Sequence, residues 1–219
     1  MMVFSKSEEE HVTHVSTFLA RLRANTPFAK ASKCLFHVSS VEYLGYVVYS
    51  GALKMDEANV QQILNWPPPG NFKVLQSCLG FANFYCHSIK NYSKKISSLT
   101  HFLKKDSHFP LNEEALRQFH QLKEACTISQ ILSHFDPSLP TRVDTDASDY
   151  SLGAVLSQFC DLGKNPIAFD SRKLLQAKLN HEIHDKELLG IAWALKRWRA
   201  YLLSLASSVE VLINHSSLQ

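Results

Sequence analysis

The chain has 219 residues, 45% hydrophobic and 20% charged, a globular balance that excludes disorder as the default and leaves length for one large domain or two small ones. A net charge of +3 is too small to diagnose a nucleic-acid partner, and five scattered cysteines, Cys34, Cys78, Cys86, Cys126 and Cys160, form no CxxC pair or secreted scaffold, which favours ordinary thiols in a reducing compartment. Residues 1–6 lack the basic segment and apolar run of a signal peptide, and no stretch nears the ~20 apolar residues of a membrane span, so an intracellular protein, cytoplasmic or nuclear, without a membrane partner is expected.

Ser7 followed by three glutamates is a helix-start signature, and Val12, Val15, Phe18, Leu19 and Leu22 recur at helical spacing, so 7–23 reads as one amphipathic helix. Residues 33–53 are rich in β-branched and aromatic types, with strands expected at 35–38 and 41–48 and a turn at Ser50-Gly51. A helix over 56–65 is stopped by Pro67-Pro68-Pro69. Asn71 can cap the next, whose stripe is Phe72, Leu75, Leu79, Ala82 and Phe84. Further helices are expected at 92–104 and 113–125. Past Pro137 and Pro140 the pattern changes to strands at 143–145, 152–158 and 166–171, with Gly163-Lys164-Asn165 as a hairpin turn. A long helix over 180–204 and a strand over 209–213 complete the series.

Residues 141–219 hold as many acidic as basic side chains, so the positive excess lies upstream, where Lys90, Lys94, Lys95, Lys104 and Lys105 cluster around a helical pattern. Such a cluster can neutralise phosphates or be a solvated helix face. Among eleven histidines, His11 and His14 have no cysteine at zinc spacing and read as surface residues.

Asp144 and Asp146 stand two apart on a strand, hence on one face, with Asp149 in the following turn. Glu187 is four residues from both Ile183 and Ile191, on the helix stripe that faces the sheet. A carboxylate there is costly unless paired, and strand Asp plus helix Glu suits Mg²⁺. Spacing alone equally allows a solvated strand-end aspartate and a helix-edge glutamate.

Thr145-Asp146-Ala147-Ser148-Asp149, the run Gly153 to Gln158, Ala168-Phe169 with Ser171-Arg172-Lys173-Leu174, and His184-Asp185-Lys186-Glu187-Leu188-Leu189 resemble successive motifs of the ribonuclease H domain of gypsy-like LTR retrotransposons. Upstream, Phe4-Ser5-Lys6-Ser7, Phe28-Ala29-Lys30, Tyr43-Leu44-Gly45-Tyr46, Trp66-Pro67-Pro68-Pro69 and the run Leu79 to Tyr85 are similar to that element's reverse transcriptase. The resemblance implies an α+β or α/β fold: the end of a reverse-transcriptase palm (1–55), a helical thumb and connection (56–136), and a truncated ribonuclease H-like mixed sheet with a long helix (137–219). It implies Mg²⁺ held by Asp146 and Glu187, the matches to the family's catalytic carboxylates. It also implies an RNA–DNA hybrid or DNA duplex as partner, contacted by Gly80, Asn83, Tyr85, Lys90, Lys94 and Lys95.

The departures weigh against catalysis. The family's Tyr-x-Asp-Asp polymerase motif precedes Phe-Ser-Lys, where this chain has Met1-Met2-Val3. The family's third ribonuclease H carboxylate is replaced by Asn214, and Cys86-His87-Ser88 stands where the thumb carries arginines. The expectation is a retrotransposon-derived fragment, ancestrally for RNA-directed DNA synthesis and hybrid cleavage, without independent catalysis and binding duplex weakly. A domesticated protein-interaction module, and ribonuclease H activity completed by another chain, remain the alternatives.

Overall fold

The computed structural model describes residues 2–5, 7–25, 30–104, 107–128, 131–161, 163–174 and 182–213. The chain divides into two compact units, Met1–Ser39 and Ser40–Gln219. In the first, α1 (Glu8–Ala24) starts as expected: Ser7 Oγ accepts the Glu10 N–H at 3.3 Å, and glutamates fill the first turn where the helix dipole favours them. None of its residues is fully buried. Residues 35–38, expected as a strand, form none.

The second unit opens with an antiparallel sheet of β1 (Ser40–Tyr43), β2 (Tyr46–Tyr49), β3 (Ala52–Met55) and β4 (Leu132–Ser133), in that order. The single strand expected over 41–48 is broken at Leu44-Gly45. Both have positive φ, 49° and 76°, which makes the two-residue turn whose twist suits an antiparallel hairpin. Helix α2 (Glu57–Leu64) is capped by Asp56 and α3 (Phe72–Phe84) by Asn71, whose Oδ1 accepts the Val74 N–H at 3.0 Å. Leu75, Leu79 and Ala82 of the α3 stripe are buried along with Cys78, whereas Phe72 and Phe84 are exposed. The helix expected over 92–104 is two short ones, α4 (Tyr92–Lys95) and α5 (Ser97–His101), interrupted at Ile96. Helix α6 (Glu113–Thr127) completes this layer, capped by Asn112. Leu75, Leu99, Phe119 and Leu122 form its centre. Each such side chain contributes on the order of 1.5–3 kcal/mol by leaving water.

The second sheet has the order β7-β6-β5-β8, from β5 (Thr141–Ala147), β6 (Ser151–Cys160), β7 (Gly163–Lys173) and β8 (Glu210–Ile213). Strands β5 and β8 are parallel and the other pairs antiparallel. Gly163, Lys164 and Asn165 pair with Cys160, Phe159 and Gln158, so they belong to the ladder and the hairpin turn lies before them. The long helix expected over 180–204 is α7 (Ile183–Arg197) followed by α8 (Arg199–Leu202). The architecture is the expected mixture of helices and sheets. Among the described residues, no helix is long and apolar enough to cross a membrane.

Seven of the first eight residues of β6 are buried, because both faces of the sheet are covered. On one face lies α7: Gly190 faces Leu152, and Val143, Leu156, Ala194 and Trp198 share a core. On the other lies the helical layer, with Asn91 against Gly153 and the Ser93 N–H donating to Ser171 Oγ at 2.8 Å.

Candidate metal centre and nucleic-acid interface

Along β5, Thr141, Val143 and Thr145 are buried while Arg142, Asp144 and Asp146 alternate with them. Asp144 and Asp146 therefore share a face, and it is the face of Gly153, the cross-strand partner of Asp146. Asp146 is exposed and has no ion pair among the described residues. Its two acidic neighbours are each matched by a lysine: Lys164 bonds Asp144, and Lys186 Nζ lies 3.4 Å from Asp149 Oδ1. Glu187 is 2% exposed on α7, as its place on the stripe predicts. Because α7 covers the opposite face, the two carboxylates are carried on different sides of the sheet and can approach a common point only around the end of β5. There Lys186 and Asp149 tie the helix to the turn. Asn214 lies outside the described residues; β8 sets Ile213 beside Thr145. Among the described residues, no cluster of three His, Cys, Asp or Glu side chains could hold a metal ion.

The residues expected to meet a duplex are divided. Gly80 and Asn83 are exposed on α3, and a Cβ at Gly80 would meet none of the described residues within 4 Å. Lys90 and Lys94 are exposed and Lys95 is half-buried; Lys105 lies outside the described residues. Tyr85 must be withdrawn from this surface. It is 2% exposed, its hydroxyl donates to the Gly45 carbonyl at 3.2 Å, and burial pushes its pKa up to about 12. It anchors the β1–β2 turn to α3.

The segment Cys86–Ser88, expected to have lost duplex-facing arginines, packs on β7 instead. His87 Nδ1 lies 3.2 Å from the Phe169 carbonyl, and Nε2 lies 3.2 Å from Arg197 Nη2. A carbonyl only accepts and a guanidinium only donates, so the two contacts together suit a ring that donates from Nδ1 and accepts at Nε2. Arg197 also bonds Asp170. This joint went unread in the sequence, since His87 lies 82 residues from Phe169 and 110 from Arg197 and carries no local signal.

The family described as "RNase H-like domain found in reverse transcriptase" matches residues 111–211. Over its whole length the chain is 35% identical to the Tf2-3 and Tf2-4 transposon polyproteins of Schizosaccharomyces pombe. It spans only 16% of either polyprotein. Among solved structures it resembles the foamy viral protease-reverse transcriptase in complex with an RNA/DNA hybrid, with a TM-score of 0.78 and 21% identity over 97% of this chain and 29% of that one. The same viral protein in complex with double-stranded DNA gives a TM-score of 0.77 at 22% identity, over 99% of this chain and 45% of that one. At such identity the two structures establish the fold.

Proposed function

We propose, on the premise that this chain belongs to the reverse-transcriptase and RNase H-like segment of retrotransposon Pol polyproteins, that it holds an RNA–DNA hybrid or DNA duplex without cleaving it on its own. The observation that carries this reading is the state of the acids around Asp146. Asp144 and Asp149 are each matched by a lysine, and the chain has the neutral amide of Asn214 where the family's third carboxylate belongs. Asp146 and Glu187 are the residues that would hold Mg²⁺. That donor set does not fit a two-metal hydrolytic centre, which needs several anionic oxygens around cations about 4 Å apart.

Duplex binding is supported by the exposed Gly80, Asn83, Lys90 and Lys94, and by the hybrid and DNA duplex bound in the viral structures that share this fold. With few lysines available, few phosphates are neutralised. The logarithm of hybrid affinity should fall against the logarithm of salt with a slope on the order of −2 to −4, at ~0.9 per phosphate for B-DNA. Fluorescence anisotropy of a labelled hybrid at several salt concentrations measures it. Binding that ignores salt, or is absent at low salt, would refute the reading.

A further inference from the structure

At the Asp146 end of the second sheet, helices α4 to α6 and the turn after β5 enclose an open cleft of about 330 Å³. Lys94 and Lys173 line it, and neither has an ion-pair partner among the described residues. Among the described residues of the lining Asp149 is the one acid, with Lys186 Nζ 3.4 Å from its carboxylate. The described lining is thus net positive. Ser97, Ser148 and Ser151 add hydroxyls, and the ring of Tyr150, 69% exposed, stands at the rim.

Its position adds a second argument. Asp146 pairs with Gly153, Gly153 pairs with Ser171, and Ser171 bonds Ser93 of the cleft wall. Cleft and carboxylate therefore share one face of the sheet. Ser148 is two residues beyond Asp146, roughly 7 Å at ~3.4 Å per strand residue. Uncompensated ammonium groups beside hydroxyls suit phosphate oxygens, whereas an apolar ligand would leave all these groups desolvated. An exposed aromatic ring beside them offers a flat surface to a sugar or base.

We infer that this cleft seats one phosphodiester of a nucleic-acid strand next to Asp146, clamped by Lys94 and Lys173 and flanked by Tyr150. The inference rests on the duplex-binding reading above and adds to it a specific seat, bringing in Lys173, Tyr150 and the serines.

Two measurements on the full chain test it. In the first, amide resonances are followed during titration with the dinucleotide dTpdT and, separately, with inorganic phosphate. Ser97, Ser148 and Tyr150 should shift with the dinucleotide in the parent and not in Lys94→Gln/Lys173→Gln. Shifts with inorganic phosphate alone would mark an adventitious ion only and overturn the seat. In the second, the salt slope for a hybrid should be shallower by about 1 in the double variant, the loss of one phosphate contact. Its thermal midpoint should be unchanged, because both lysines are exposed. Lys196→Gln, exposed on α7 and outside the cleft lining, should leave the dinucleotide shifts intact. If the parent binds the hybrid and the Lys94/Lys173 variant shows the same slope, the seat is wrong while duplex binding stands. If the parent binds no hybrid at any salt, the duplex reading itself fails and the inference with it.

Discussion

A Cβ placed on Gly153 would stand 2.4 Å from Asn91 Oδ1, closer than packed atoms approach, and Asn91 itself has φ of 54°, a left-handed conformation that asparagine tolerates. Gly153 thus serves the contact between the helical layer and the sheet. Because the atom in the way is the end of the Asn91 side chain, Gly153→Ala should destabilise the protein by only about 1 kcal/mol, the low end of overpacking, read as a lower urea midpoint. Adding Asn91→Gly, which keeps the positive φ and removes the obstructing amide, should recover most of that loss; no recovery would place the strain elsewhere. Gly80 is the opposite case. Among the described residues nothing packs where its Cβ would stand, and mid-helix glycine costs roughly 0.5–1 kcal/mol relative to alanine. Gly80→Ala should therefore raise the thermal midpoint while weakening hybrid binding several-fold, if the open space is where a strand passes. A more stable variant with unchanged affinity would remove α3 from the interface.

At the level of elements, much of the chain was legible because its signals are local. Ser7 and Asn71 cap the helices expected of them, and the burial of Glu187 follows from its spacing to Ile183 and Ile191. Other features were not. A leucine at positive φ gives no warning in sequence, so the turn at Leu44 was read as continuous strand. Tyr85 looks like any polar aromatic on a surface stripe until its hydroxyl finds Gly45, 40 residues away. The lysines beside Asp144 and Asp149 lie 20 and 37 residues off, beyond any periodicity.

The helical core has a pH signature of its own. Burial pushes the Cys126 thiol from 9.0 up to about 12 and the Tyr85 phenol from 10.0 up to about 12. Above pH 9 the unfolded chain gives up these protons while the folded core keeps them. The associated stability is full below pH 9 and is lost as pH rises towards 12. Urea midpoints should fall between pH 9 and 11, and less steeply in Cys126→Ala/Tyr85→Phe. A midpoint independent of pH over that range would show that neither group is held protonated by the fold.

Across the whole molecule, the second sheet lies between α7 and the helical layer, so Asp146 and Glu187 reach the end of β5 from opposite sides. Each further acid of the segment 144–149 is matched by a lysine. The same arrangement leaves a cationic, hydroxyl-lined cleft beside Asp146. On the function proposed above, both features suit holding a strand rather than cutting it. Incubation of the purified chain with an RNA–DNA hybrid labelled on the RNA, in Mg²⁺ or Mn²⁺ at low salt, tests this most directly when complex and strand length are read from the same sample. The account predicts a retained complex with intact RNA. RNA fragments that accumulate with turnover and disappear in Asp146→Asn would contradict it.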